Sequence, residues 1–307
     1  MDRDEEMKIL SSPVIMLCMF ILCTVPVFAD TPPDGSKVQF VDVLNQQIRI
    51  YQTGGGQAVL LIHGLPGCIE DWETIMPKLS KRFHVIAYDR PGHGLSSAND
   101  LKYNLDHNVN IAFALIHKLK LNNPIIVGHS YGGSIVLAMA VRNTSNIKAF
   151  VSVSPIISTK HKPNLLFKIL KIPLTGPALR FFIKLFGQNI VKKGMDIAFD
   201  PNQKNMPQDF IDKRCIIISR PNNITTAAHE ELTIRPDLLN LMTLYSNIKK
   251  PLFIVHGKSD RVVPVGDVIL LHETVPGSKL ILFKETGHMV QYAKPTELIK
   301  VIEEASD

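Results

Sequence analysis

The stretch V-G-H-S-Y-G-G-S, residues 127–134, decides the fold, because a strand is predicted before it and a helix after it. A strand that turns at once into a helix leaves no room for a Cβ atom beside the turn, and glycine stands at both Gly128 and Gly132. The turn presents the hydroxyl of Ser130 at the positive end of the helix dipole. The alternative is a plain turn of small residues. The flanking strand and helix favour a nucleophilic Ser130.

Outside this stretch, short β-rich runs alternate with helical patterns, which is typical of a mostly parallel sheet with helices on both faces. A leading hairpin is predicted over residues 38–52. Further strands are predicted at Ala58–Ile62, His84–Tyr88, Ile125–Val127, Ala149–Val153, Pro251–Val255 and Leu280–Phe283. Helices are predicted at Trp72–Lys81, Leu105–Leu119, Gly132–Arg142, Val268–Glu273 and Pro295–Glu304. Continuous Val, Ile and Leu indicate strands buried on both faces, so the predicted fold class is α/β.

The alternation stops in the second half of the chain. Residues 158–247 lose the strand pattern and become helical and rich in proline. A helical cap inserted between two strands has this pattern, and it would lie over the carboxyl edge of the sheet, where ligands of open α/β sheets bind. We therefore predict a core over residues 30–157 and 248–307, with a helical cap over residues 158–247.

A serine hydroxyl is a weak nucleophile until a base removes its proton, so the sequence must also supply a histidine. His288, in E-T-G-H-M, follows the last predicted strand and would reach the sheet edge at which Ser130 emerges. Asp260, in V-H-G-K-S-D-R-V-V-P, follows the preceding strand and can orient that histidine. The chain order Ser, Asp, His is the one associated with this type of turn. We predict a catalytic triad of Ser130, Asp260 and His288.

A tetrahedral intermediate also needs hydrogen-bond donors for its negative oxygen. The backbone N–H of Tyr131, directly after Ser130, is one predicted donor. The second is the N–H of Leu65 in H-G-L-P-G, the loop after the first buried strand. In that loop Gly64 allows close approach, and His63 is expected to support the backbone.

Five motifs together resemble those of the α/β-hydrolase superfamily: H-G-L-P-G, Y-D-R-P-G-H-G, V-G-H-S-Y-G-G, V-H-G-K-S-D-R-V-V-P and E-T-G-H-M. The resemblance runs from about residue 38 to the C-terminus, except for the cap, and is to the serine-nucleophile, esterase/lipase-like branch. It implies the α/β-hydrolase fold and makes Asp89–Gly94 a structural loop without a catalytic role. Relatives that act on epoxides or haloalkanes have aspartate at the position of Ser130. The loop H-G-L-P-G also differs from the H-G-G-G of another esterase branch.

The N-terminal residues have a different character from the rest. An apolar stretch from Val14 to Ala29 ends in V-F-A, which predicts a signal peptide over residues 1–29 that is cleaved after Ala29. Export to the periplasm or the exterior would follow, and an uncleaved membrane anchor is the alternative. Acidic residues precede the apolar stretch, which suggests that translation starts at Met7 and not at Met1.

The chain has a formal net charge of +6, and its basic residues are concentrated in one segment. From Thr159 to Met195 there are eight Lys or Arg and no Asp or Glu, interleaved with Leu and Phe. Such a segment favours contact with an anionic membrane surface over nucleic acid, and a solvated helical face is the alternative.

No metal or cofactor is expected, because the sequence has no H-x-x-x-H spacing and no Cys/His cluster. Whether Cys68 and Cys215 pair stays open.

The leading hypothesis is a serine hydrolase that cleaves a small-molecule carboxylic ester with an apolar or lipid-like group through an acyl-enzyme. A second hypothesis keeps the triad and changes the reaction to carbon–carbon bond hydrolysis or perhydrolysis. A third is a binding protein that has kept the fold and lost turnover. The complete triad counts against this third hypothesis.

Overall fold

The computed structural model describes residues 39–99, 103–157, 192–218 and 220–307. The predicted signal peptide, residues 1–29, lies outside the described residues, as does most of the basic segment Thr159–Met195. Within the described ranges, Cys68 is buried with a free thiol.

Within these ranges eight strands form one sheet in the order β1-β2-β4-β3-β5-β6-β7-β8. The strands are β1 (Gln39–Val43), β2 (Gln46–Thr53), β3 (Gln57–Ile62), β4 (Phe83–Tyr88), β5 (Ile125–His129), β6 (Ala149–Val153), β7 (Leu252–Gly257) and β8 (Lys279–Phe283). The first two form the predicted hairpin, and β2 pairs antiparallel with β4. All remaining pairs are parallel, as the α/β pattern predicts. The predicted fold class is confirmed.

Helices connect the parallel strands. They are α1 (Met76–Leu79), α2 (Leu105–Lys118), α3 (Tyr131–Ala140), α4 (Phe210–Ile218), α5 (Pro221–Met242), α6 (Val265–Thr274), α7 (Val290–Ala293) and α8 (Pro295–Glu304). The predicted helix Trp72–Lys81 is wrong as one element, because a 3-10 turn at Ile69–Trp72 and the short α1 replace it. Pro77 explains the break: proline lacks the N–H for a helix interior but fits a first turn, and here it lies in the first turn of α1.

The hydrophobic core lies on both faces of the sheet. In β3, Leu60 and Ile62 belong to one buried cluster and Val59 and Leu61 to another, because successive residues of a strand point to opposite faces. The first cluster includes residues of α2, α3 and α6, and the second includes residues of α1 and α8. The continuous apolar pattern of β3 therefore reflects a strand covered on both sides.

The last strand departs from its prediction. We expected Leu280–Phe283 to be buried on both faces, but the residues of β8 are half-buried or exposed. The physical reason is the position of β8 at the end of the sheet, where it pairs with β7 alone. Runs of Val, Ile and Leu do not distinguish a central strand from such an edge strand.

The strand order reverses next to residues 127–134, the stretch that contains Ser130. From β3 the chain goes to β4 on one side and then to β5 on the other side. Loops that follow β3 and β5 therefore leave the same edge and diverge, which makes a crevice at the carboxyl ends of these strands. H-G-L-P-G follows β3 and Ser130 follows β5, so both lie at this reversal.

The described residues between β6 and β7 are helical, and the boundaries of the predicted cap stay a prediction. They comprise a helical stretch at residues 192–199, then α4 and α5, with 3-10 turns at Gln203–Asn205 and Tyr245–Asn247. We call these elements the inserted helices. The side chains of Ile234, Leu238 and Leu241 in α5 join the same buried cluster as α2, so α5 is packed on the core. No helix in the described parts of the chain is long and apolar enough to span a membrane.

Candidate active site

Ser130 occupies a strained backbone conformation between β5 and α3. Its φ of 56° and ψ of −117° are unusual for a residue with a side chain, and the surrounding hydrogen bonds must impose them. The N–H of Ser130 donates to the carbonyl of Val153 in the neighbouring strand at 2.9 Å. Ser130 is only 5% exposed, so it lies below the surface and not in the open as the turn alone suggested. Gly64, in the loop after β3, lies directly against its side chain.

The two flanking glycines are required by close backbone contacts. A Cβ atom on Gly128 would lie 2.2 Å from the carbonyl oxygen of Gly132. A Cβ atom on Gly132 would lie 2.2 Å from the carbonyl oxygen of Ile62 and 2.6 Å from that of His63. Both clashes are with backbone atoms, so side-chain motion cannot relieve them.

We expect Gly132→Ala to lower the free energy of unfolding by about 3 kcal/mol, because overpacking against fixed backbone is costly. Urea unfolding followed by circular dichroism measures the change. Gly266→Ala is the matched control, since a Cβ atom there has no neighbour within 4 Å and Gly266 lies in α6. We expect the control to change stability by less than about 1 kcal/mol. Equal stability of the two variants would contradict this account of the turn.

The predicted base and acid meet at the carboxyl ends of β7 and β8. Nδ1 of His288 lies 2.8 Å from Oδ2 of Asp260. The other carboxylate oxygen, Oδ1, accepts hydrogen bonds from the N–H groups of Val262 at 2.8 Å and Val263 at 2.9 Å. Burial raises the pKa of Asp260, but His288 and, to a smaller extent, the N–H of Val263 outweigh it, and the pKa lies below its ordinary value. An ionised Asp260 accepts from Nδ1–H, so Nε2 is the nitrogen that can take a proton.

His129 connects this pair to the turn that carries Ser130. Its Nε2 lies 3.0 Å from the backbone carbonyl oxygen of His288, and the two imidazole rings are 4.7 Å apart. Burial, with a contribution from His288, lowers the pKa of His129 to about 3. The ring is therefore neutral near pH 7 and donates from Nε2. No role was predicted for His129, although it precedes Ser130 directly in the sequence.

The predicted oxyanion loop lies against Ser130. A Cβ atom on Gly64 would be 3.1 Å from Cβ of Ser130, so Gly64 and the nucleophile are immediate neighbours. On the other side, Tyr131 begins α3, and the first N–H groups of a helix have no partner within the helix. The N–H groups of Leu65 and Tyr131 thus belong to segments on two sides of Ser130. A developing negative oxygen needs donors that converge on it, and these two segments are the predicted sources.

A family model described as the alpha/beta hydrolase fold matches residues 57–172. Residues 57–172 therefore belong to the α/β-hydrolase superfamily. The chain is 26% identical over 285 residues to an uncharacterised protein of Mycobacterium tuberculosis, covering 91% of this chain and 83% of that protein. It is 23% identical over 262 residues to a 2-hydroxy-6-oxo-2,4-heptadienoate hydrolase of Pseudomonas putida, covering 83% of this chain and 91% of that enzyme. The structure of an esterase from Exiguobacterium antarcticum matches with a TM-score of 0.71 and 20% identity, covering 88% of this chain and 100% of that one.

The α/β-hydrolase chain also contains a buried charged cluster that sequence reasoning missed. Arg90, in D-R-P-G-H-G, contacts Glu230 of α5, with Nη1 at 2.5 Å from Oε1, and neither side chain is exposed. Nε2 of His93 lies 2.9 Å from the other carboxylate oxygen of Glu230. The Asn108 side chain, on α2, donates to Glu230 at 2.8 Å. The cluster joins the D-R-P-G-H-G loop, α2 and the inserted helices.

This cluster makes the α/β-hydrolase fold sensitive to acid at Glu230. Burial raises the pKa of Glu230, but Arg90 and His93 reverse the effect and hold it at about 2, below the ordinary 4.5. A carboxylate with a depressed pKa stabilises the fold above the pKa of the unfolded chain, and that stabilisation is lost as the pH falls towards the folded value. The loss therefore begins near pH 4.5.

We expect the stability difference between wild type and Glu230→Gln to be constant above about pH 5.5 and to shrink by about 2 kcal/mol as the pH is lowered from there to pH 3. Urea midpoints of both proteins between pH 3 and 7 measure it. A difference that stays the same down to pH 3 would show that Glu230 is not the ionised partner of Arg90.

Within the described residues, no group of three or more His, Cys, Asp or Glu side chains is arranged to hold a metal ion.

Proposed function

We propose that the protein hydrolyses small-molecule carboxylic esters with an apolar acyl group through an acyl-enzyme on Ser130. Its superfamily makes the chain a hydrolase, and the kind of bond is the subject of the proposal. The observation that carries it is the contact of 2.8 Å between His288 and Asp260 at the sheet edge that also holds Ser130. A serine in a strained turn beside such a pair is the arrangement of a hydrolytic nucleophile.

In the proposed reaction, Oγ of Ser130 attacks the ester carbonyl while Nε2 of His288 takes the hydroxyl proton. The carbonyl oxygen becomes negative and accepts hydrogen bonds from the N–H groups of Leu65 and Tyr131. Asp260 orients His288 and stabilises the imidazolium that forms. The intermediate collapses, His288 gives its proton to the leaving alcohol, and the acyl group stays on Ser130. Water, deprotonated by His288, then releases the acid.

The second candidate is hydrolysis of a carbon–carbon bond with the same three residues. It is favoured by the likeness to the Pseudomonas putida enzyme, whose name denotes a dienoate with 2-hydroxy and 6-oxo groups. Here the nucleophile would attack a ketone carbonyl, and the leaving group would be a carbon atom that must be protonated.

The test is a substrate panel for residues 30–307. It compares p-nitrophenyl acetate, butyrate, octanoate and palmitate with a 2-hydroxy-6-oxo-dienoate. We expect kcat/KM for the best ester to exceed that for the dienoate by on the order of 10²-fold. The reverse order would replace the ester proposal by the carbon–carbon one. Turnover of neither class, with no labelling of Ser130 by a fluorophosphonate, would contradict both.

Two further proposals concern the location of the protein. We propose export with cleavage after Ala29, which N-terminal sequencing of the exported protein tests.

We also propose contact of the segment Thr159–Met195 with an anionic membrane, from its eight basic residues interleaved with apolar ones. Unchanged binding to phosphatidylglycerol vesicles after neutralising Lys168, Lys171 and Lys184 would count against it. The control neutralises three other lysines outside this segment: Lys249, Lys250 and Lys258.

A further inference from the structure

The peptide group between Gly64 and Leu65 has two functions in the candidate site. Its N–H is the donor proposed for the oxyanion, and its carbonyl oxygen accepts two hydrogen bonds from the protein. Nδ1 of His63 and Nη2 of Arg90 each lie 2.9 Å from this oxygen. The peptide is trans, so its C=O and its N–H point in opposite directions. Whatever fixes the carbonyl of Gly64 therefore also aims the N–H of Leu65.

The two donors to the carbonyl of Gly64 are themselves held in place. The N–H of Arg90 donates to Nε2 of His63 at 2.9 Å, which leaves the proton of a neutral His63 on Nδ1, facing the carbonyl of Gly64. Arg90 is the stronger donor because it is charged. A cation on the carbonyl oxygen also draws electron density from the peptide and strengthens its N–H as a donor.

The same guanidinium reaches the other side of the oxyanion site. Its Cζ lies 4.6 Å from the centre of the Tyr131 ring, which fits a cation–π contact. Tyr131 carries the second proposed donor. Arg90 thus contacts both segments whose N–H groups must converge on one oxygen.

Arg90 depends on the inserted helices for its counter-charge. The side chain is fully buried, and Glu230 of α5 contacts its Nη1 at 2.5 Å. Leaving a buried cation without its partner is strongly unfavourable. Asn108 Oδ1 accepts from the same nitrogen at 3.2 Å but carries no charge. The ionised Arg90 beside Gly64 therefore requires α5 in place.

We propose that Arg90 is a positioning residue for the oxyanion site, which aims the N–H of Leu65 through the carbonyl of Gly64, and that Glu230 couples this alignment to the docking of α5. The proposal rests on the proposed function, since it assumes that a negative oxygen forms beside Ser130. The proposal adds that the rate of catalysis depends on the docking of the inserted helices, even where these helices make no contact with the substrate.

The test compares two double variants that each remove one buried ion pair. Arg90→Gln with Glu230→Gln removes the proposed pair without leaving a lone charge. The control is Arg214→Gln with Asp71→Asn, which removes a pair with an N–O distance of 3.0 Å between α4 and the 3-10 turn after the oxyanion loop. Neither Arg214 nor Asp71 makes a hydrogen bond to Gly64 in the described residues. The melting temperature, the fraction of sites labelled by a fluorophosphonate, KM and kcat per labelled site are measured on the best ester.

We expect kcat per labelled site to fall by on the order of 10²–10³ in the Arg90 and Glu230 variant, with KM changed by less than about threefold. The control is expected to keep kcat per labelled site and to lose thermal stability. Equal kcat values in the first variant and wild type would overturn the proposal while leaving the proposed function intact. Equal losses in both variants would also overturn it, because any loosening of the inserted helices would then suffice.

A second measurement does not depend on turnover. A crystal structure of the Arg90 and Glu230 variant should show the peptide between Gly64 and Leu65 rotated from its wild-type orientation. An unrotated peptide would overturn the proposal even if the wild type hydrolysed none of the esters. Absence of both labelling and turnover in the wild type would mark failure of the proposed function instead.

Discussion

Ser130→Ala is expected to lower kcat for the best ester by on the order of 10⁶-fold, as loss of a triad nucleophile does. Without Oγ no acyl-enzyme forms, and the neighbouring His288 can only activate water. Residual turnover of about 10³–10⁴ over the uncatalysed rate is expected from the oxyanion donors and binding. Burst kinetics and fluorophosphonate labelling, with mass analysis of the peptide that contains Ser130, are the measurements.

The matched control for this variant is Ser134→Ala, in the same helix α3. Its hydroxyl donates to the backbone carbonyl of Ile156, so the substitution removes a buried hydrogen bond but no reacting atom. We expect kcat per labelled site to stay within about twofold of wild type, with a loss of about 1 kcal/mol in stability. Labelling that persists in Ser130→Ala would rule out Ser130 as the nucleophile.

Asp260→Asn is expected to lower kcat by on the order of 10⁴-fold while leaving the fold intact. The amide is nearly isosteric with the carboxylate, but it brings no negative charge to stabilise the imidazolium of His288. An amide Nδ2 facing Nδ1 would also favour the tautomer with its proton on Nε2, which cannot accept from Ser130. Single-turnover acylation at pH 7.5 separates this step from product release.

Asp267→Asn supplies the control for charge alone. Asp267 lies in the first turn of α6, outside the hydrogen bonds of His288 described above, so we expect a change of less than about twofold in kcat. A loss smaller than about tenfold in Asp260→Asn would mean that another group orients His288. His256 lies nearby, with Nε2 at 3.5 Å from Oδ2 of Asp260, but burial lowers its pKa and keeps it neutral.

The fold was predictable because its signals are local. Ser130 and its flanking glycines predict a strand followed directly by a helix. The regular alternation of strands and helices predicts that most strands pair in parallel. The α/β class and the superfamily were both predicted from these patterns and are confirmed. The positions of His288 and Asp260 followed from the strands before them, because parallel strands end at one edge. Their catalytic roles stay predictions until the variants above are measured.

The contact of Arg90 with Glu230 was not predictable in the same way. The two residues are 140 positions apart, and no periodicity relates a loop after β4 to a helix inserted after β6. A charged residue in a helix is ordinarily predicted to face solvent, and nothing in the sequence around Glu230 predicts that its side chain is buried. Only the three-dimensional packing of α5 identifies its partner.

The inserted helices lie in the chain between β6 and β7, and these two strands are immediate neighbours in the sheet. An exchange of this segment between relatives therefore changes no strand pairing, and a longer replacement adds only a slowly growing closure cost of about 0.6 kcal/mol per doubling. Substrate range could evolve by such exchange without refolding the core. Glu230 sets one condition on it. Any donor segment must bring a carboxylate to the same place, or the recipient must lose Arg90 as well.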